Sequence, residues 1–277
     1  MKRDTAMAGG AEGGISFQCN HSVLASAMGS SHGWNMRWLI LLAVFVLLLT
    51  SCATTGGSGT ISWERDYWGH RPGPRGFSTV ILDAGHGGRD SGAVAGANGV
   101  QEKDLALDTV KRVQRKLAGR VKVVLIRSGD EFVDLDERVR LASQRDGAIL
   151  LSIHYNAGPS GWNGPENYWW RVDSNGLATR LQRELEKASP FNGPNRGKVR
   201  RRLRLTRNPN IPSVLVECGY LSYPAEASRC ADPGYRDQLA SAIARAVLDQ
   251  QAYGDPPGPL PPPINKPPSR PTDPPGS

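Results

Sequence analysis

Thr79-Val-Ile-Leu-Asp-Ala-Gly-His-Gly-Gly-Arg-Asp90 runs three β-favouring apolar residues into a glycine turn built around one histidine. An apolar run that ends in such a turn reads as a buried strand delivering its last side chains to the edge of a sheet. In open α/β sheets that edge, at the carboxyl ends of the strands, is where ligands bind. The glycines let the backbone turn sharply and come close to whatever sits there, so His86 is presented rather than buried. A lone histidine on a turn is more often structural than functional. What gives His86 weight is that three other element ends, at Glu102, His154 and Glu217, carry matching residues.

Outward from this strand the chain alternates. Val100-Gln-Glu-Lys-Asp104 opens a helical pattern with Ala106, Val110, Val113 and Leu117 on one face and Gly119 as its stop. Residues 121–127 read as a strand, 134–145 as a helix, and 147–153 as a strand that delivers His154-Tyr-Asn-Ala157. A strand over 167–172 and a helix over 177–188 follow, then the strand Ile211-Pro-Ser-Val-Leu-Val-Glu217 and a closing helix marked by Tyr235, Leu239, Ile243 and Val247. This order predicts a single α/β domain, residues 78–252, with a twisted, largely parallel sheet of about six strands flanked by helices.

The sheet can gather His86, Glu102, His154 and Glu217 on one edge. Two imidazoles and one carboxylate suit a catalytic zinc that keeps a fourth position open, and a further carboxylate beside that position suits a general base. Helix-end stabilisation alone also accounts for Glu102. A charged residue closing the apolar run before Glu217 is unusual unless its carboxylate has work to do.

The flanks are of different character. Residues 1–35 show little periodicity, and 36–52 carry a positive charge followed by an apolar run ending in Leu49-Thr-Ser-Cys52. That run fits a signal-peptide core, and its end resembles the lipobox of bacterial lipoproteins, in which Cys52 would be lipidated after cleavage. An ordinary transmembrane anchor is the alternative, and either reading exports the rest of the chain. Met36-Arg37 would by itself begin a well-proportioned signal, so residues 1–35 read as a mis-assigned start or as a long leader. Ala53, next to the cysteine, fits outer-membrane sorting in a diderm cell, facing the periplasm. Residues 53–77 read as a flexible tether and 253–277 as a Pro-rich, unpacked tail.

A formal charge of +8 over 277 residues suggests an acidic partner. The densest basic stretch is Arg196 to Arg207, either a charge-protected edge strand or a site for acidic substrate groups or anionic lipid. Nucleic acid is the weakest reading and is not expected as a partner, because the export signal removes the protein from most of it. The four cysteines, at 19, 52, 218 and 230, form no CxxC pair, against a cysteine zinc site or thioredoxin-like motif. Cys218 and Cys230 read equally as a disulfide or as two buried thiols.

The segments Ile81-Leu-Asp-Ala-Gly-His-Gly-Gly88, Glu102-Lys-Asp104, Val124-Leu-Ile-Arg127, Glu137-Arg-Val139, Ser152-Ile-His-Tyr-Asn-Ala157 and Pro212-Ser-Val-Leu-Val-Glu-Cys-Gly219 occur in order. Together they resemble the zinc-dependent N-acetylmuramoyl-L-alanine amidases that trim bacterial cell wall. The resemblance implies Zn2+ held by His86, Glu102 and His154, Glu217 as the catalytic carboxylate, and hydrolysis of the amide joining N-acetylmuramic acid to L-alanine in peptidoglycan. Asp83 or Asn156 would support a ligand imidazole from behind. Two departures, Cys218 and Asn167-Tyr-Trp-Trp170, bear on substrate preference rather than chemistry. Some related amidases carry a long inserted helix that plugs the site; the path from His154 to Glu217 is too short for one, which implies no need of an activator protein. An exported zinc carboxypeptidase or deacetylase, or a non-enzymatic wall-binding lipoprotein, are the competing readings.

Overall fold

The computed structural model describes residues 69–96 and 99–264. The signal-like segment, Cys52 and the first part of the tether lie outside the described residues. In chain order the elements are β1 (Thr79–Ala84), α1 (Glu102–Leu117), β2 (Lys122–Leu125), α2 (Leu135–Ser143), β3 (Ala148–Asn156), β4 (Glu166–Trp169), a 3-10 turn (Val172–Ser174), α3 (Asn175–Ala188), β5 (Lys198–Arg200), α4 (Arg204–Arg207), β6 (Ser213–Tyr220), α5 (Pro224–Ala231) and α6 (Pro233–Tyr253).

The six strands form one sheet in the order β2-β1-β3-β6-β4-β5. β2, β1, β3 and β6 are mutually parallel, β4 is antiparallel to β6, and β5 runs parallel to β4. The largely parallel α/β sheet expected from the alternation is therefore present.

Both faces of the sheet are covered, which is why its central strands read as unbroken apolar runs. On one face Val80, Leu82, Ile149, Leu151, Ile153, Val214 and Val216 join a core with α1, α3 and α6. On the other, Ile81 and Leu150 pack with Ala142 of α2, Leu205 of α4 and Ile211. α6 packs against both α1 and α3, and its small alanines at 240, 242, 244 and 246 are buried, which lets neighbouring elements approach it closely. Its N-cap, Asp232, accepts from Gly234 N at 2.9 Å, with Pro233 in the first turn.

Several elements differ in extent from the sequence expectation. β3 continues to Asn156 and β6 to Tyr220, so His154 lies within its strand rather than just beyond it and Glu217 lies inside its strand rather than at the end. The pairing of β3 with β6 shifts register between His154 and Asn156, and this irregularity lets both strands run on. The short helices α4 and α5 carry too few turns for a period to be visible in sequence. The basic stretch supplies edge strand β5 and then α4, both rimmed by arginine.

The ends of the domain also pack more than composition suggests. Phe77 is buried in the main core, and Gly76 N donates to Gln251 O at 2.7 Å. Residues 69–77 are thus part of the fold rather than tether. At the other end Asp255 receives Gly73 N at 2.9 Å and Gln250 Nε2 at 3.0 Å, while its own N–H donates to Gly73 O. One aspartate thereby ties the two ends of the domain together and satisfies backbone groups that proline-rich composition gave no sign of. Asp255→Ala is expected to lower the unfolding free energy by about 1–3 kcal/mol, read from urea denaturation; a loss below about 0.3 kcal/mol would show that the two ends hold without it.

Candidate metal centre

Two buried guanidiniums fix the turn that carries His86. Arg127, just beyond β2, donates to Ala84 O, Gly85 O and Lys103 O, each at 2.8 Å. Arg138, on α2, donates to Ala84 O at 2.7 Å and His86 O at 2.6 Å, and also pairs with the Asp83 carboxylate. Three successive carbonyls are thereby held in place. His86 itself has φ +59°, the one non-glycine residue with positive φ among the described residues. Such a conformation is costly for a side chain with a Cβ and persists where its surroundings over-determine it.

Glycine is required where the rings approach backbone. A Cβ on Gly85 would lie 2.3 Å from His154 Cε1, and one on Gly92 would lie 2.5 Å from Glu102 Oε2 and 2.6 Å from the His86 ring. The cradle is thus cut to the side chains of the site.

Glu102 opens α1 and is almost fully buried. Its Oε1 is 3.0 Å from His86 Nε2 and 2.9 Å from His154 Nδ1, and also accepts Tyr155 N at 3.0 Å; Oε2 accepts Ala93 N at 2.9 Å. Burial opposes its ionisation, but hydrogen bonds from His154 and His86 outweigh burial and hold the carboxyl well below the usual carboxylate range. The other ring nitrogens are held from behind. His86 Nδ1 lies 2.8 Å from Asp90 Oδ2. His154 Nε2 lies 3.1 Å from Ser152 Oγ, which in turn donates to Asp83 at 2.6 Å. These partners favour tautomers that turn His86 Nε2 and His154 Nδ1 toward Glu102.

The donor set fits a metal ion. The three ligand atoms lie within 4.8 Å of one another. The oxygen-to-nitrogen distances of 3.0 and 2.9 Å are close to the roughly 3.3 Å separating donors around a tetrahedral zinc with bonds of about 2.0–2.1 Å. Two imidazoles with one carboxylate match zinc chemistry, and their hydrogen-bonded rear nitrogens complete the pattern.

Glu217 lies next to this centre by strand register. His154 on β3 pairs with Glu217 on β6, and Glu217 pairs with Glu166 on β4. The three side chains form one row on the face of the sheet that bears Ser152 and Asp83. Glu217 is buried and its Oε2 has no hydrogen-bond partner among the described residues. Burial, then the charges of Glu102 and Glu166, push its carboxyl well above the ordinary value, while Arg201 and Arg196 pull the other way. Glu166, fully buried, is saturated instead: it accepts Arg196 N at 3.0 Å, Arg196 Nη2 at 2.6 Å, Tyr220 Oη at 2.8 Å and the Tyr168 hydroxyl. Burial raises its proton affinity, but these donors keep it ionised.

With this geometry in view, the comparisons are direct. A family model described as N-acetylmuramoyl-L-alanine amidase matches residues 80–249. The chain belongs to that amidase family. Among its relatives, the germination-specific N-acetylmuramoyl-L-alanine amidase of Bacillus subtilis is 31% identical over 241 residues, covering 80% of this chain and 98% of that protein. LytC of the same organism is 37% identical over 171 residues, covering 60% of this chain but only 34% of LytC. Among solved structures, the catalytic domain of CwlV from Bacillus (Paenibacillus) polymyxa shares the fold with TM-score 0.59 and 32% identity, over 62% of this chain and 97% of that one. AmiC2 of Nostoc punctiforme matches with TM-score 0.59 and 36% identity, over 64% and 98%.

Within this amidase fold, His86, Glu102 and His154 are brought together and Glu217 is set beside them. Asp83 and Asn156 are placed differently from expectation. Asp83 touches neither imidazole; it pairs with Arg138 and reaches His154 only through Ser152. Asn156 contributes its backbone carbonyl, which accepts Leu221 N, and makes no side-chain hydrogen bond to either ring among the described residues. Asp90 holds His86 instead, and its i+4 spacing was a signal open to sequence reading. Cys218 and Cys230 are free and buried.

The metal-free site has a defined pH signature. Burial lowers the proton affinity of His86, but Glu102 and Asp90 more than compensate and raise its pKa above the ordinary 6.5. A raised folded-state pKa contributes stability that is complete below the unfolded value and is lost as pH rises through the folded one. Chelator-treated protein is therefore expected to lose stability on going upward from about pH 6.5, and Asp90→Asn to show a smaller loss. Urea denaturation across that window decides it, and a flat profile for the wild type would contradict the assignment.

Proposed function

We propose that this chain is an exported, lipid-anchored, zinc-dependent amidase that hydrolyses the bond between N-acetylmuramic acid and the L-alanine of the peptidoglycan stem peptide. Family membership supports the reaction. The observation that carries the reading is the His86–Glu102–His154 centre with a buried Glu217 one strand away whose Oε2 has no hydrogen-bond partner among the described residues.

Zinc held by His86 Nε2, a Glu102 oxygen and His154 Nδ1 would supply Lewis acidity to the amide carbonyl and bring the pKa of a water toward about 7. The chain's own residues do the rest. Asp90 and the Ser152–Asp83 pair keep each imidazole in the tautomer that points its lone pair inward. Glu217, whose Oε2 has no other engagement, takes the proton of the attacking water and returns it to the leaving nitrogen of L-alanine. A raised proton affinity suits both halves of that role, since the carboxyl must hold the proton long enough to pass it on. Neighbouring Glu166 cannot substitute, because its lone pairs are occupied by Arg196, Tyr220 and Tyr168.

Purified domain with bound zinc is expected to release new L-alanine amino ends from cell wall without a partner protein; a new end of another kind would point to a carboxypeptidase or deacetylase. Glu217→Gln should retain zinc and fold while losing about 10²–10⁴-fold in turnover. His86→Ala, His154→Ala and Glu102→Ala should lose zinc and activity together. Zinc content by atomic absorption, measured beside turnover, checks the roles: near-normal activity in Glu217→Gln refutes the base, and wild-type zinc affinity in Glu102→Ala refutes that ligand.

Export and anchoring rest on the sequence of residues 36–52 alone. Cys52→Ala is expected to release the domain from membranes or leave the signal uncut. Mass spectrometry showing an unmodified Cys52 in the mature protein would dispose of the anchor.

A further inference from the structure

The row of buried side chains does not end at Glu166. Beyond it, on the same side of the sheet, Arg196 hydrogen-bonds to Glu166 and lies over the rings of both Trp162 and Tyr168, 5.4 Å from each centroid. Arg201, just past β5, also lies over Tyr168 at 5.4 Å. Both guanidiniums act electrostatically on Glu217. Lys198 and Arg200 project differently: in strand register they sit opposite Asn167 and Trp169, and they stack on Trp169, on the other face. Arg196 and Arg201 are thus tied to the face that carries the reacting groups, beside Glu166 and Tyr168, while Arg204 at the start of α4 pairs with Asp136 of α2.

Glu166 does not exhaust Arg196. One guanidinium nitrogen engages the carboxylate and the Tyr168 hydroxyl, and the side chain remains 42% exposed. A guanidinium presents five donors in a planar fork that matches a carboxylate, and stacking on aromatic rings holds that fork in place. The opposite rim of the site, near the glycine turn, is of another kind: exposed Phe132 lies under Arg89 at 4.0 Å, and Val94 is also exposed. That rim offers aromatic and aliphatic surface as well as a cation, whereas Arg196 and Arg201 stand beside the row of acids.

Resting on the amidase reading, we propose that Arg196 and Arg201 form the subsite for the stem peptide and bind the free carboxylate of the residue that follows L-alanine. The distances are compatible. Adjacent strands are about 4.8 Å apart, so Glu166 stands roughly 10 Å from His154 across the row. Two extended residues of peptide span up to about 7 Å. A peptide with its amide carbonyl at the metal centre therefore carries its second residue past Glu217 to about 3 Å short of Glu166, a gap that the carboxylate and the half-exposed Arg196 side chain can close. The glycan, which offers no comparable negative charge near the scissile bond, is left to the Phe132 side.

The test uses two disaccharide–peptide substrates that differ at one group: a free α-carboxylate or an α-carboxamide on the residue after L-alanine. The readout is the ratio of their kcat/KM values, with product identified as a new L-alanine amino end. Wild type is expected to favour the carboxylate by about tenfold or more, as for a charge-assisted hydrogen bond, and the ratio should shrink as salt rises. Arg201→Gln and Arg196→Gln should each bring the ratio toward one, and Arg201→Lys should recover part of it. A wild-type ratio near one, or glutamine variants that lower both substrates equally and leave the ratio intact, would overturn the subsite. If a glutamine variant fails to fold, the salt dependence of the wild-type ratio still decides: a preference that does not weaken with salt is not made by these charges. Failure to release L-alanine amino ends from either substrate would instead bring down the amidase reading, and the subsite with it.

Discussion

The site depends on two buried positive charges that touch neither of its imidazole rings nor Glu102. Arg127 and Arg138 take the carbonyls of Ala84, Gly85 and His86 as acceptors. Without them, a turn with its amide oxygens directed into the protein would carry unsatisfied acceptors, each costing on the order of 1–3 kcal/mol. The two guanidiniums bring a burden of their own, since Asp83 is the one carboxylate in direct contact and it pairs with Arg138. Burial and the nearby Arg138 both lower the proton affinity of Arg127. What makes the arrangement tenable is that every guanidinium nitrogen finds oxygen: Arg127 also serves Gly129 and Lys103, and Arg138 also serves Val133.

From that anchor the charges of the site can be followed outward. His86 sits between Asp90 and Glu102, Glu102 between two imidazoles, and Glu217 between Glu102 and the saturated Glu166. Each carboxylate differs in what it has left to give. Glu102 is committed to the rings and to two backbone N–H groups. Glu166 is committed to Arg196 and two tyrosines. Glu217 alone keeps an oxygen without a partner. A division of labour among three neighbouring acids thus follows from hydrogen-bond supply, with no difference in residue type.

Much of this was legible in the sequence. The apolar run before Gly85, the His154 strand and the strand bearing Glu217 were readable because strands buried on both faces leave continuous apolar signatures. His86, His154 and Glu217 were singled out because each stands at the end of such a signature, and Glu102 because it opens a helical pattern. What escaped was whatever depends on distant partners. Arg138 meets the carbonyl of Ala84 across 54 positions and Arg127 across 43, and no local period announces either. Glu166 lay one residue before the expected strand and gained its meaning only when β4 paired antiparallel with β6. Asp83 was expected behind an imidazole, but Ser152 stands between them, a hydroxyl that sequence reading passed over as part of an apolar run. Phe77 and Asp255 lay in segments whose composition advertised mobility, and long-range hydrogen bonds override composition there.

The row His154–Glu217–Glu166 also bears on how the chain finds its fold. A slip of β6 by one residue against β3 would exchange Glu217 for Val216 or Cys218 and turn the carboxylate into the apolar layer beneath α1, α3 and α6. That misalignment would set the carboxyl among Val214, Leu151 and Ile153, where an acid without hydrogen-bond partners is costly to bury. The acid assigned to the chemistry is therefore also a proofreading element for strand alignment. A chain that lost it, by substitution with leucine for instance, would be freed from that restraint even as it lost the base proposed for it.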